Sequence, residues 1–410
     1  MTTGLKLVDT RRVFDHSELS ARSRKSTCNQ ISGGIDMITK SGRFAIVFAT
    51  VLLLSSAAFA RPRWTEQEAN SWYQQQPWLV GSNFIPKDAI NELEMWQADS
   101  FDPQEIDKEL GLAEALGMNT MRVFLHDLLW QQDPEGFKAR LDQFLSIASK
   151  HHIRPMLVLF DSCWDPNPKL GPQRPPIPGV HNSGWVQSPG ASALQDPSQY
   201  PRLQAYVSGV VGAFARDQRV LAWDVWNEPG NRIGTDKQDS KNKKETVAIL
   251  LPQVFEWARS ANPSQPLTSG LWDGHASEWG DSTKWSSVER TQIEQSDVIS
   301  FHNYEWPEQF EADIIALQKL KRPILCTEYM ARAVGSTFDT ILPLAKKYHV
   351  AAINWGLVVG KTQTNLPWES WQHPYIEDQP PIWFHDIFYP DGHPYREREV
   401  QLIRDLTGKP

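Results

Sequence analysis

The sequence has few cysteines, no excess of basic residues and no long apolar run. It contains 3 Cys in 410 residues, and 49 acidic residues outnumber 41 basic ones for a net charge of −8. Nucleic acids and anionic membrane surfaces are normally bound through a basic face, so neither is an expected partner. Because so few cysteines exclude a dense disulfide framework, a hydrophobic core must stabilise the fold.

Several motifs of other protein classes are missing as well. The sequence has no Gly-x-Ser-x-Gly elbow, which argues against Ser/His/Asp catalysis on a hydrolase sheet. It has no closely spaced His pair on a predicted helix, although His126, Asp161 and His302 leave a metal site open as an alternative. The first predicted strand continues into Asn83-Phe-Ile-Pro-Lys87 and not into a Gly-rich phosphate turn. We therefore expect no metal and no cofactor.

The N-terminus has the pattern of an export signal. A basic segment precedes the apolar run 44–54, and the small residues Ala58-Phe59-Ala60 follow. The run is shorter than the roughly 20 residues that span a bilayer. We expect residues 1–60 to be a signal peptide whose true start is Met37, so that residues 1–36 are not translated, and the remaining 61–410 to be secreted or periplasmic and free of the membrane.

Beyond this segment, short apolar runs alternate with longer segments of helical periodicity. That alternation is typical of a parallel sheet with crossover helices. The predicted strands are 78–84, 120–126, 155–160, 221–228, 267–271, 298–302, 324–328 and 351–355. Eight such repeats in about 330 residues predict a single-domain (β/α)₈ barrel. Cys163 and Cys326 then lie near strands three and seven, too far apart for a disulfide.

Polar and aromatic side chains are concentrated where the predicted strands end. In a barrel these ends converge on one face, which carries the functional site. The set comprises Asn83, Arg122, His126, Asp161, Trp164, Asn227, Glu228, Trp272, His302, Tyr304, Glu328 and Trp355. It is too polar to be a core. The chain also has 18 Trp, whose broad flat faces suit sugar rings.

Two of these residues are carboxylates at strand tips, Glu228 in Trp-Asn-Glu-Pro and Glu328 in Thr-Glu-Tyr. Glycoside hydrolysis needs such a pair, one acid to protonate the leaving oxygen and one carboxylate to attack or to activate water. An attacking carboxylate must stay ionised, which a neighbouring guanidinium favours. Arg122, at the end of a predicted strand, could supply this guanidinium.

The ordered set of motifs over about residues 78–405 resembles clan A glycoside hydrolases. Trp-Asn-Glu-Pro on strand four, His-x-Tyr after strand six, Thr-Glu-Tyr on strand seven and a Trp closing strand eight are similar to glycoside hydrolase family 5 and to the barrel of family 2, in a cellulase or 1,4-β-xylanase-like branch. After strand three, family 5 usually has a His where this chain has Phe160-Asp-Ser-Cys-Trp164.

This resemblance implies a role for each matching residue. Glu228 would be the acid/base and Glu328 the nucleophile of a retaining mechanism. Asn227 would bond the sugar 2-hydroxyl, and Arg122 and Tyr304 would orient the nucleophile. His302 and Trp355 match residues that line the subsite of the attacked sugar, while His126, Asp161, Trp164 and Trp272 are further candidates for sugar contacts.

The sequence thus predicts a secreted β-glycoside hydrolase for a neutral β-linked glycan such as xylan or glucan. We expect endo action, although the two long aromatic loops 161–198 and 358–394 could instead close one end of the site, as in an exo-acting enzyme. Two alternatives stay open: a transglycosylase with the same pair, and a carbohydrate-binding barrel without turnover.

Overall fold

Eight short parallel strands and the helices between them build the molecule. A computed structural model describes residues 60–232 and 239–409, which belong to one unit spanning 57–410. The strands are β1 (Val80–Phe84), β2 (Thr120–Phe124), β3 (Met156–Val158), β4 (Ala222–Asp224), β5 (Leu267–Thr268), β6 (Ile299–His302), β7 (Ile324–Glu328) and β8 (Ala351–Trp355). Their order in the sheet is β5-β4-β3-β2-β1-β8-β7-β6.

The two outer strands of this order meet and close the sheet. The backbone N–H of Leu271, just past β5, donates to the Ser300 carbonyl of β6 over 2.9 Å, and His302 N–H donates back to the Leu271 carbonyl over 2.8 Å. The Thr268 and Ser300 hydroxyls, 2.7 Å apart, add a side-chain hydrogen bond between β5 and β6. The predicted (β/α)₈ barrel is confirmed.

Helices cover the outside of the barrel and extend its loops. In the described residues they are α1 (Glu66–Gln74), α2 (Glu92–Trp96), α3 (Pro103–Ala115), α4 (Asp127–Gln132), α5 (Pro134–Lys150), α6 (Ala191–Gln195), α7 (Tyr200–Ala213), α8 (Lys243–Ser260), α9 (Ala276–Trp279), α10 (Ser287–Gln295), α11 (Pro307–Gln318), α12 (Phe338–Lys347) and α13 (Glu397–Thr407). Three 3₁₀ helices lie at Pro197–Gln199, Arg332–Val334 and Trp368–Trp371.

Helix α5 shows how local sequence sets these elements. The Asp133 side chain accepts a hydrogen bond from the Gly136 N–H, and Pro134 occupies the first helical position, where its missing N–H costs nothing. Phe137 and Leu141 then recur on one face and are fully buried. The helix begins where the sequence predicts.

Strand four is shorter than predicted, whereas β7 and β8 have the predicted bounds. The strand was expected to reach Glu228, but β4 ends at Asp224. Glu228 lies four residues further on with a φ of 42°, in the left-handed region that non-glycine residues rarely occupy. Glu228 is therefore held by a turn past the strand and not by the strand itself.

The predicted signal peptide falls almost entirely on residues 1–59, which lie outside the described residues. Within the described ranges, no helix is both long and apolar enough to cross a bilayer. Cys163 and Cys326 are both buried and free, and Cys163 lies in the loop after β3 and not on the strand.

Candidate active site

A cavity of about 490 Å³ opens at the carboxyl end of the barrel. Its wall comes from the loops after β3, β4, β6, β7 and β8. The lining residues are Asp161, Cys163, Trp164, His181, Asn182, Trp185, Asn227, Glu228, Asn231, Tyr304, Glu328, Trp355, Trp368, Glu369, Trp371, Gln372 and His385. Seven of the residues that the sequence singles out are among them.

Glu328 lies at the end of β7 with a hydrogen-bond donor on each carboxylate oxygen. The Arg122 guanidinium donates to Oε1 over 2.8 Å, and the Tyr304 hydroxyl donates to Oε2 over 2.8 Å. Both donors favour the ionised form. Glu328 is 5% exposed, so an unprotonated oxygen is held at the cavity wall with little water around it.

Glu228 has a different set of partners, all without a full positive charge. The Cys163 thiol donates to Oε2 over 3.1 Å, and the Asn231 amide donates to the same oxygen. The His302 Nδ1 lies 2.9 Å from Oε1. The Glu228 side chain is 12% exposed, so it reaches the cavity while most of it is desolvated.

The two carboxylates lie close together across the cavity floor. One oxygen of each, together with a ring nitrogen of His302, lie within 4.8 Å of one another. His302 stands between them, since its Nδ1 is also 3.5 Å from Glu328 Oε2. Carboxyl groups about 5–5.5 Å apart are typical of retaining glycosidases, whereas inverting enzymes need about 6.5–9.5 Å to admit a water.

The environment of the pair assigns the charge to Glu328. Burial raises the pKa of Glu328 and of Glu228 above the ordinary carboxyl range, and each charge disfavours the other. Arg122 contacts Glu328 directly, so the ionised form is favoured there and the proton on Glu228. Burial also lowers the pKa of His302 to about 4, which leaves the imidazole between them neutral at neutral pH.

Arg122 is held in place by Asp224, a residue that the sequence pattern did not single out. Its Nε and Nη2 both donate to Asp224 Oδ2, over 3.0 and 2.7 Å. Nη2 also donates to Asn227 Oδ1 over 2.6 Å, and Nη1 to Asn83 Oδ1 over 2.9 Å. The guanidinium is fully buried, and these bonds fix its direction toward Glu328.

Asp161 acts on the site through its neighbours. Its carboxylate accepts bonds from the Asn227 amide over 2.9 Å, the Trp185 indole over 2.7 Å and the Cys163 N–H over 3.0 Å. Asn227 is thereby fixed at both ends of its amide. Trp164 and Trp355 also line the cavity: Trp164 stacks on Trp371 with ring centroids 5.2 Å apart, and Trp355 packs edge-on against Phe124 and Trp185.

Five of the twelve candidates do not line the cavity: Asn83, Arg122 and His302 contact site residues through hydrogen bonds, whereas His126 and Trp272 have other partners. His126 is fully buried and caps helix α4, with its Nδ1 accepting the Leu128 N–H over 3.1 Å and its Nε2 3.0 Å from the Gln187 carbonyl. Trp272 is half-buried beneath Lys244, whose Nζ lies 5.8 Å from the ring centre. Both follow strands at the correct end of the barrel, but their side chains pack elsewhere.

The metal alternative also changes in the structure. His126 and Asp161 are occupied by the bonds above, and the group in the described residues with metal-ligating geometry is Glu228, His302 and Glu328. Each of the four carboxylate oxygens already has a hydrogen-bond partner, and Arg122 places a positive charge on one of them. The arrangement suits a sugar carbon between two carboxylates better than a second cation.

Several lining residues have no signal in the sequence pattern. Cys163, Asn231, His181 and His385 come from loops, where no periodicity predicts which side chains face inward. Asp224 lies in the motif Trp-Asp-Val-Trp, where alternation along the strand could have assigned it to the barrel interior.

Comparison with solved structures agrees on the (β/α)₈ barrel. GH5_18 from Streptomyces cattleya in complex with GlcNAc has a TM-score of 0.54 and 14% identity, covering 81% of this chain and 80% of that one. The exo-β-1,4-mannosidase of Opitutaceae bacterium strain TAV5 has a TM-score of 0.52 and 18% identity, covering 81% and 60%. The endo-β-1,4-mannanase of Thermotoga petrophila has 0.50 and 15%, covering 80% and 76%.

At these identities the likeness shows the (β/α)₈ fold alone. No protein-family model matches the chain, and no curated protein matches it in sequence.

Proposed function

We propose that the protein is a retaining β-glycoside hydrolase that acts on a neutral β-linked oligosaccharide or polysaccharide. The observation that carries this proposal is the pair of carboxylate oxygens within 4.8 Å of one another, with Arg122 on one carboxylate and only uncharged donors on the other. That separation suits direct attack on the sugar and leaves no room for the water of an inverting mechanism.

The chemistry follows from the two environments. Glu328 attacks the anomeric carbon and forms a glycosyl ester, while Glu228 gives its proton to the leaving glycosidic oxygen. Glu228, now ionised, takes a proton from water, whose oxygen attacks the same carbon and displaces Glu328. Two displacements restore the β configuration. Arg122 and Tyr304 favour the ionised form of Glu328, both before it attacks and when it departs.

We further propose that the substrate is an uncharged cell-wall glycan and that the protein is exported. An acidic chain with an aromatic cavity wall suits an uncharged glycan, and xylan and glucan are the cell-wall polymers expected from the sequence. Solved structures of similar fold include proteins named as a mannosidase and a mannanase, so β-mannans belong in the substrate panel. The export signal predicted at residues 1–60 supports a location outside the cytoplasm.

Replacing Glu228 tests the acid role. Glu228→Ala should slow hydrolysis of a natural glycan by about 10²–10⁴-fold, because general acid catalysis contributes about that much. Hydrolysis of an aryl glycoside with a good leaving group should lose far less in its first step. The matched control is Glu305→Ala, which removes an exposed carboxylate outside the cavity wall. Equal losses on both substrates would exclude Glu228 as the acid.

Replacing Glu328 tests the nucleophile. Glu328→Gly should abolish hydrolysis but leave an acid/base that can build a glycosidic bond from an α-glycosyl fluoride donor. Product synthesis is followed by chromatography, and folding by circular dichroism. A folded variant that makes no product from any donor of the panel would argue against this role.

A further inference from the structure

The two long loops of the barrel are bonded to each other above the site. The first follows β3, and the second follows β8. In the first loop, Asn182 N–H donates to the Thr362 carbonyl over 2.7 Å and His181 N–H to the Ser370 hydroxyl over 2.9 Å. In return, Tyr375 N–H of the second loop donates to the Gly179 carbonyl over 2.9 Å. Together with the stacked pair Trp164 and Trp371, they form one continuous wall.

Two buried histidines from these loops stand side by side in the wall. The ring centroids of His181 and His385 are 5.4 Å apart, and both rings line the cavity. Each Nδ1 bonds a backbone carbonyl, Leu366 for His181 over 2.8 Å and Met330 for His385. Since a carbonyl only accepts, each Nδ1 carries the ring proton.

Each Nε2 is therefore left as a hydrogen-bond acceptor. Burial lowers the pKa of His181 to about 4 and that of His385 well below the ordinary value, so both rings are neutral at neutral pH. Neither Nε2 has a partner among the described residues. A cavity wall with two unpaired acceptors fits a ligand that brings O–H donors.

His385 also shows which side of the bond this wall covers. Its ring packs against Tyr304 with centroids 5.7 Å apart, and the Tyr304 hydroxyl bonds the nucleophile Glu328. The wall is thus next to the sugar whose anomeric carbon is attacked.

We propose that His181 and His385 form a hydroxyl-binding end wall that accepts the terminal, non-reducing sugar of a β-linked chain, and that the enzyme removes single sugars from that end. This inference rests on the proposed hydrolase function. It replaces the endo action expected from the sequence, because the joined loops block passage of a longer chain on the side of the attacked sugar.

The test uses β-1,4-linked hexasaccharides of mannose, glucose and xylose, each labelled at its reducing end. With the accepted sugar, the labelled product should shorten one unit at a time, pentasaccharide first. Early release of short labelled fragments would overturn the inference, as would hydrolysis of aryl β-glycosides without shortening of any hexasaccharide. A lack of hydrolysis on every substrate would instead overturn the proposed function.

Variants test the histidines separately. His385→Phe keeps the ring but loses the acceptor, and kcat/KM on the accepted hexasaccharide should fall about 10-fold. His385→Gln, which can still accept a bond, should recover part of the loss. His393→Phe is the control, because His393 is largely exposed and outside the wall. Melting temperatures check that each variant is folded. His181→Phe tests the second histidine of the pair in the same way. Wild-type kcat/KM in both Phe variants would overturn the role of the pair.

Discussion

At the scale of single residues, the site separates two like carboxylates by their partners. Glu328 bonds a guanidinium and a phenol, whereas Glu228 bonds a thiol, an amide and an imidazole. The left-handed backbone of Glu228 is a conformation that proteins keep mostly at functional positions. The positions of Glu228, Glu328, Arg122 and Tyr304 could be predicted, because strand ends of a barrel converge. The contact of the Cys163 thiol with Glu228 could not be predicted, because a loop positions Cys163.

Cys163 should set the upper pH limit of activity. Its thiol donates to Glu228 Oε2 over 3.1 Å and so favours the ionised carboxylate. Cys163→Ala removes this donor, which raises the pKa of Glu228. Activity requires protonated Glu228 and is lost as pH rises through that pKa, so the basic limb of the kcat/KM profile should move to higher pH. Cys163→Ser keeps a donor and should move the limb less. An unchanged limb in the Ala variant would show that the thiol does not act on Glu228.

Asp224 should matter for stability as much as for activity. Its carboxylate balances the fully buried Arg122 guanidinium through two bonds to Oδ2. Asp224→Asn leaves that charge with Glu328 as its remaining anionic partner, and breaking a buried pair costs about 3–5 kcal/mol. Urea unfolding should show that the free energy of unfolding falls by an amount near the lower end of this range. Asp217→Asn, which alters a half-exposed pair with Arg219, is the control and should cost about 1 kcal/mol or less.

At the scale of elements, the strands and helices follow from the sequence while the loops do not. Strands β7 and β8 and the start of α5 are specified by apolar runs, an N-cap and a proline. Strand β4 ends early because the chain must turn to present Glu228. The position of His126 after β2 predicts a site residue, but the side chain caps α4. Tertiary hydrogen bonds between loops, which leave no period in the sequence, decide the cavity wall.

Gly179 should be essential to the joined loops. A Cβ there would lie 2.4 Å from the Tyr375 carbonyl oxygen, and its φ is 73°. Gly171 is a matched control in the same loop, with a φ of 91° and nothing within 4 Å of the added Cβ. Gly171→Ala should therefore cost only the backbone strain, about 1–2 kcal/mol.

Gly179→Ala should cost more than Gly171→Ala in thermal unfolding, and it should also lower kcat/KM by parting the loops above the cavity. Equal effects of the two substitutions on both measurements would show that the contact between the loops does not shape the site.

At the scale of the whole molecule, the barrel brings Asn83 and Glu328, which are 245 positions apart in the chain, to the same Arg122 guanidinium. The fold class could be predicted because eight strand and helix repeats leave few other arrangements. The identity of the sugar and the choice between endo and exo action could not be predicted, because both depend on loops that pack against each other. The proposed catalytic pair, in contrast, follows β4 and ends β7, and Arg122 of β2 contacts Glu328.

The configuration of the first product tests this proposal most directly. With the accepted β-glycan oligosaccharide, ¹H NMR recorded during the first minutes distinguishes the anomer released by the enzyme from the one formed later by mutarotation. Carboxylates with one oxygen of each within 4.8 Å favour two displacements at the anomeric carbon, so the β-anomer should appear first and the α-anomer only afterwards. Initial release of the α-anomer would contradict the assignment of Glu328 as nucleophile and Glu228 as acid/base.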